Sequence, residues 1–336
     1  MTVATKMSLK DSEPSSFETI QVTDSGNYYN GDVSLLVGTP LFEELKGKVQ
    51  LIITSPPFPL NKKKKYGNLT GNQYLQWFAN LAPIFSELLT NDGSVVIEIG
   101  NSWEPERPAQ SLLPLQALIS FVSKESSGFR LIQEFICYNP SRLPSPAQWV
   151  TINRIRTVDS YTRVWWIAKS DFPKADNTKV LRPYSKSMNK LLKSGNYNAG
   201  KRPSQHNISQ TSFLKDCGGS IAHNFFELDT LDPSRDIRLP NVFSFSNTTS
   251  SDYFTKRCKE IGMDPHPARM PIGLAAFFIQ YLTDDDDLVF DPFAGSNTTG
   301  YAAARLNRRW AVIDIKAEYV EQSKLRFEDP ALLNDN

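Results

Sequence analysis

Leu288-Val-Phe-Asp-Pro-Phe-Ala-Gly-Ser-Asn-Thr-Thr-Gly300 decides how the rest of this sequence is read. A short apolar run, Leu288 to Asp291, reads as a buried strand, and the polar, glycine-bearing turn after it opens a helix over about 298–306. Trp310-Ala-Val-Ile-Asp-Ile315 is then a second strand, and a last helix runs over about 316–327. A strand, a Gly turn, a helix and a strand make the unit from which parallel sheets are wound, and such sheets bind ligands beyond the carboxyl ends of their strands. Gly295 allows close approach of backbone to a ligand, Asn297 tolerates a left-handed conformation, and Thr298 or Thr299 suits a helix cap. Neither G-x-x-x-x-G-K-[ST] nor G-x-G-x-x-G is present. The turn therefore suits a nucleoside without a phosphate chain better than a nucleotide. Asp314, about 20 residues further on at the end of a strand, stands where such folds place an acid against ribose hydroxyls.

Working outward, the same alternation covers most of the chain. Strands are expected at 49–54, 94–100, 131–138 and 163–168, with helices at 74–89, 113–122, 253–261 and 271–282. Pro83 is expected to kink the first of these helices. The fold class is thus α/β, a doubly wound, mostly parallel sheet. Residues 1–27 read as a flexible polar tail, 28–170 and 248–336 as two halves of one domain, and 171–247 as an irregular, loop-rich insertion.

The 336 residues are 40% hydrophobic, enough to bury a sizeable core. Cys137, Cys217 and Cys258 form no C-x-x-C pair, and with three histidines neither a disulfide scaffold nor a structural metal cluster is expected. No run of 18 apolar residues exists, so no membrane span is expected, and a cytoplasmic location is. The net charge of +1 conceals an asymmetry: residues 140–215 carry 14 Lys or Arg against 3 Asp, leaving the remainder acidic. A basic stretch on an acidic chain is the footprint of a polyanion-binding face, or of a solvated basic surface.

The third informative stretch is Thr54-Ser-Pro-Pro-Phe-Pro59, at the end of a buried strand. Two prolines fix φ and remove backbone donors, so the carbonyls stand as acceptors without competing N–H groups. Ser55 adds a hydroxyl and Phe58 a flat apolar face, a combination able to grip an exocyclic amine and stack on its ring.

Together these residues resemble the S-adenosylmethionine-dependent DNA amino-methyltransferases, in particular the cytosine-N4 modification methylases of type II restriction–modification systems. The resemblance spans about residues 28–327. Catalytic motif first, cofactor loop last and a basic region between them is the circularly permuted order called the beta class, which implies a Rossmann-like methyltransferase fold with a DNA-recognition insertion. It implies catalytic roles for Ser55, Pro56, Pro57 and Phe58. Contacts to S-adenosylmethionine, with no metal, are implied for Asp32, Pro267, Ala268, Asp291, Phe293, Gly295, Ser296, Asn297, Thr298 and Asp314. Many relatives have Gly where Asn297 stands, and some have Glu for Asp314. The segment Asn139-Pro-Ser-Arg-Leu-Pro-Ser-Pro146 resembles a loop bordering the target-base pocket.

Double-stranded DNA is then the expected partner, with Lys62, Lys63, Arg142, Arg154, Arg156, Arg182, Lys201 and Arg202 facing it. A cognate restriction endonuclease would share the site without forming a stable complex. Glu98 is either a further acceptor beside the target or a salt-bridged structural residue. His206 and His223 either read bases or are plain surface residues. No cysteine follows proline, which argues against methylation at cytosine C5. Adenine N6 as target, RNA as substrate and a non-catalytic DNA-binding regulator remain alternatives.

Overall fold

The computed structural model describes residues 17–59, 69–198, 200–209, 211, 213–227, 253–264 and 269–329. The N-terminal half contains β1 (Glu18–Thr23), β2 (Gly26–Asn30), α1 (Pro40–Leu45), β3 (Val49–Thr54), α2 (Gly71–Leu88), β4 (Leu89–Gly100), α3 (Leu113–Val122), β5 (Arg130–Tyr138) and β6 (Tyr161–Ala168). A sparse stretch follows with α4 (Lys186–Ser194), a ribbon of β7 (Gly200–Lys201) and β8 (Asn207–Ile208), and β9 (Phe225–Glu227). The final portion holds α5 (Tyr253–Glu260), α6 (Ile272–Leu282), β10 (Leu288–Asp291), α7 (Thr298–Arg305), β11 (Arg309–Asp314) and α8 (Ala317–Lys324).

Nine strands among the described residues form one sheet in the order β1-β2-β11-β10-β3-β4-β6-β5-β9. The five from β2 to β4 in that order pair in parallel, so their carboxyl ends share one edge. Strand residues alternate between two cores, as the two-residue period of a strand requires. Ile53, Val96, Val289 and Val312 face α6 and α7, while Ile52, Ile97, Phe290 and Ile313 face α2 and α3. Because both faces are covered, the strands read as continuous apolar runs.

The structure departs from expectation in three places. The polar tail expected over 1–27 does not extend through 18–27: Glu18–Thr23 pairs antiparallel with Gly26–Asn30, and the alternation Thr19-Ile20-Gln21-Val22 is the overlooked strand signal. The insertion expected over 171–247 is not separate from the core throughout. Val180 and Phe226 are buried in the central core, β9 pairs with β5, and the Phe226 ring stacks on Phe135 with centroids 5.7 Å apart. The strand expected over 94–100 starts earlier: α2, which includes Pro83, ends at Leu88, and the chain passes directly into the twelve-residue β4 at Leu89.

Candidate active site

At the carboxyl edge of the parallel strands, four segments end side by side. Ser55 follows β3, Asp291 closes β10, Asp314 closes β11, and Gly31-Asp32 follows β2. They wall a cavity of about 590 Å³, the size of a typical small-ligand site. Ser55, Pro56, Pro57 and Phe58 line it from one side, and Asp32, Asp291, Phe293, Gly295, Ser296, Thr298 and Asp314 from the other. Segments more than 230 residues apart in sequence are thus brought together. The join is direct, since the Thr54 hydroxyl donates to Asp291 Oδ1 at 2.6 Å.

Asp291 is the hub of this wall. It is 3% exposed and accepts three hydrogen bonds, from Thr54 Oγ1, from Thr299 Oγ1 at 2.6 Å and from the Phe293 N–H at 3.0 Å. Burial raises its pKa to about 6 against the counter-pull of these donors, with the nearby Asp314 adding to the rise. Asp314 is also raised by burial, and its two oxygens take the N–H groups of Gly295 and Lys316, each at 2.9 Å. The Gly295 turn is held from beneath by Tyr28, whose hydroxyl donates to the Gly295 carbonyl at 2.6 Å.

Asn297 takes the left-handed conformation (φ 57°) expected of it, but its side chain points into the protein. There it accepts the Gly300 N–H at 2.9 Å and so caps α7. Asn297 is not among the residues lining the cavity, and its side-chain oxygen supports the turn by capping the helix. Gly300 is tied to this arrangement: a Cβ there would lie 2.3 Å from Asn297 Oδ1. The threonines do not cap the helix; Thr299 serves Asp291 instead.

On the opposite wall, Tyr74 donates its hydroxyl to the Pro57 carbonyl at 3.0 Å, which takes one of the acceptors that sequence reasoning left open. The Phe58 ring packs against Gly100, where a Cβ would approach it to 2.6 Å. Glu98 lies beside Ser55 in the register, since Thr54 pairs with Ile97. It lines the cavity and accepts the Thr162 hydroxyl at 2.9 Å. Burial raises its pKa, opposed by Thr162 and Arg142. Arg142 also lines the cavity, where its guanidinium donates to the Tyr161 carbonyl at 3.0 Å and lies 3.8 Å from Asp159. Glu98 thus lines the cavity and forms no salt bridge among the described residues.

The expected DNA-facing residues divide. Arg142 sits in the cavity wall, and Arg156 lies over the Trp103 ring, 3.3 Å from its centroid, so neither projects outward. Arg202 is drawn back onto its own ribbon, donating to the Asn198 carbonyl. Each of these three guanidiniums has found a carbonyl or ring within its own fold. Arg154, Arg182 and Lys201 have exposed side chains. Lys62, Lys63, Pro267 and Ala268 lie outside the described residues. Arg269 and Met270, which follow Ala268 in the sequence, line the cavity.

Tyr28 was not identified from sequence, and Thr54 was quoted only as the residue before Ser55, without a role. Their roles rest on hydrogen bonds to residues over 230 positions away, and local pattern carries no trace of them. No group of three or more His, Cys, Asp or Glu placed to hold a metal occurs among the described residues. Nor is any described helix long and apolar enough to cross a membrane.

Comparison with known proteins bears on this geometry. A family profile described as DNA methylase, covering N6 and N4 methyltransferases, matches residues 49–325. The type II methyltransferase M.PvuII of Proteus hauseri is 41% identical over 310 residues, spanning 91% of this chain and 85% of its own length. The solved PvuII DNA methyltransferase (cytosine-N4-specific) superposes with a TM-score of 0.67 at 34% identity, over 91% of this chain and 87% of that one. The type II methyltransferase M2.MboI of Moraxella bovis is 42% identical over 72 residues, 21% of this chain and 26% of its own. With the profile covering most of the sheet and both walls of the cavity, this chain belongs to the DNA methylase family of N6 and N4 methyltransferases.

Proposed function

We propose that this protein transfers a methyl group from S-adenosylmethionine to N4 of a cytosine flipped out of a short duplex DNA site, and so protects that site from a partner restriction endonuclease with which it forms no stable complex. The observation that carries the reading is the single cavity walled by Ser55–Phe58 and Asp291–Gly295 and closed by the Thr54–Asp291 hydrogen bond. The similarity to the cytosine-N4-specific PvuII enzyme supports the choice of base.

The residues present fit the cofactor. Asp314, fixed by two backbone N–H groups, offers carboxylate oxygens to ribose hydroxyls, Asp32 offers an acceptor to an adenine amino group, and Ile315 exposes an apolar side chain on the cavity wall. Phe293, Gly295, Ser296 and Thr298 complete that side. When bound, S-adenosylmethionine supplies an electrophilic methyl group on a sulfonium.

The chain's own work lies on the other wall. Cytosine N4 is a poor nucleophile because its lone pair is delocalised into the ring. Ser55 Oγ and the Pro56 carbonyl accept the amino hydrogens and favour a more pyramidal, more nucleophilic nitrogen. Pro57, with its carbonyl committed to Tyr74, acts by holding the strand end in place. Phe58 stacks on the base. Glu98, its proton affinity raised by burial, is placed to take the proton that N4 releases. Fixing both partners in one cavity supplies much of the catalysis.

The exposed Arg154, Arg182 and Lys201, with Lys186, Lys190 and Lys193 on α4, would contact phosphates and give a salt-dependent affinity. Residues 171–247 serve this reading as the target-recognition region, flanked by the catalytic half over 28–170 and the cofactor half over 248–336.

The test is the product. Plasmid DNA from cells expressing the protein is digested to nucleosides and analysed by mass spectrometry. N4-methylcytosine is expected, N6-methyladenine alone would move the reading to the other branch of the family, and no methylated base would favour a DNA-binding regulator. A second expectation concerns Gly100→Ala. A Cβ 2.6 Å from the Phe58 ring forces that ring toward the cavity. The variant should lose about 1–3 kcal/mol of stability by overpacking, measured by urea unfolding, and methylate more slowly. Trimming the ring, in Gly100→Ala/Phe58→Leu, should restore stability but not activity.

A further inference from the structure

The segment joining β5 to β6, residues 139–160, is rooted in the cavity wall and ends in an apolar tip. At its base the Asn139 N–H donates to the Ser160 carbonyl at 2.7 Å, Asn101 Nδ2 donates to Asp159 Oδ1 at 2.9 Å, and Arg142 lines the cavity. The far end is a tight turn closed on itself. The N–H groups of Ile155 and Arg156 both donate to the Trp149 carbonyl, at 2.9 and 3.1 Å, and Asn153 N–H donates to the Gln148 carbonyl at 2.9 Å. Arg154 completes the turn in the left-handed region, with φ 53°. Arg156 ties the turn to Trp103 in the neighbouring loop.

This ordered turn displays two large apolar side chains to water, Ile152 at 67% and Ile155 at 60% exposed. Exposed isoleucines are ordinary one at a time, but a pair on a hydrogen-bonded turn, in a loop rooted in the cavity wall, is a surface awaiting a cover. The chemistry of the loop selects the cover. Between 140 and 158 it carries no acid, and Arg154 stands exposed on the turn itself, so its neighbour is a polyanion. A polyanion with an apolar, stackable interior is a nucleic acid duplex, and isoleucine is among the residues that enter base stacks as wedges.

We propose that Ile152 and Ile155 form the wedge that enters the duplex beside the target and occupies the space vacated by the flipped cytosine, with Arg154 on an adjacent phosphate. They are positioning residues, since they touch neither the reacting nitrogen nor the cofactor. The inference rests on the base-flipping reading above and names the group that keeps the base out of the stack.

The test compares two duplexes carrying the site mapped from the methylated plasmid. In one the target cytosine is paired with guanine; in the other it faces an abasic position and is already unpaired. The Ile152→Ala/Ile155→Ala variant should lose about 10- to 100-fold in kcat/KM on the paired duplex, the cost of unstacking without a wedge. On the abasic duplex it should come within a few-fold of wild type, and Ile152→Leu/Ile155→Leu should retain activity on both. Equal loss on the two duplexes would mean that the turn merely supports the fold, and no loss on either would mean that the wedge lies elsewhere; each result overturns the proposal. Wild-type protein inactive on both duplexes would instead overturn the methyltransferase reading beneath it.

Discussion

Ser55→Ala should lower methyl transfer by about 100- to 1,000-fold, the loss seen when one preorganised hydrogen-bonding group is removed from a reacting centre. The hydroxyl is one of two acceptors proposed for the amino group, and a methyl group cannot replace it. Duplex affinity should be nearly unchanged, because phosphate contacts made far from this cavity dominate it. Single-turnover transfer of labelled methyl, set beside a binding isotherm at fixed salt, separates the two quantities. Methylation at the wild-type rate would remove Ser55 from the mechanism. Parallel loss of rate and binding would point to a collapsed cavity rather than to chemistry.

Asp291→Asn should change how stability depends on pH. The folded carboxyl titrates near pH 6 and the unfolded one near 3.8, so the native state holds its proton more tightly. Below pH 3.8 both states are protonated and burial of the group carries no charge penalty. Between pH 3.8 and 6 the unfolded state ionises first and stability falls as pH rises. Above pH 6 the full penalty remains, about 3 kcal/mol for a shift of this size. Asparagine is neutral throughout, and its oxygen can still accept from Thr54 and the Phe293 N–H while its amide donates to Thr299 Oγ1. The stability of Asp291→Asn relative to wild type should therefore climb between pH 4 and 6 and level off above. Carboxylates away from the site titrate alike in both proteins, so the difference reports Asp291 together with its effect on neighbouring Asp314. Urea titrations at pH 4, 5, 6 and 7 measure it, and a difference that does not vary with pH would refute the raised pKa.

Much of this architecture was legible because the parallel strands are buried on both faces. Val49–Thr54 and Leu288–Asp291 could be read from continuous apolar runs. Ser55-Pro-Pro-Phe58 and the Gly295 turn were legible for a different reason: their chemistry is local, residing in fixed φ angles and adjacent acceptors. What escaped depended on distant partners. Nothing near Arg156 announces that Trp103 will lie under its guanidinium, and nothing near Asn297 shows that its oxygen will be spent on Gly300 rather than on a ligand. The strand Phe225–Glu227 was lost inside a loop-rich stretch because three residues are too few to show a period, and its place is set by Phe135 and Phe277. Charge counting found the basic region but could not separate guanidiniums that bridge their own fold from those left in water.

The hydrogen bond between Thr54 and Asp291 links the last residues of two adjacent, parallel strands. Neighbouring strands lie about 4.8 Å apart, a spacing fixed by the backbone ladder rather than by side chains. If the base is held at Ser55 and the cofactor at Asp291–Gly295, as proposed, the spacing between their two supports is gauged by the sheet itself, as by a ruler cut into the frame. Changes in the surrounding loops can alter which DNA arrives and how long it stays while leaving that spacing the same, so sequence preference is free to diversify around it.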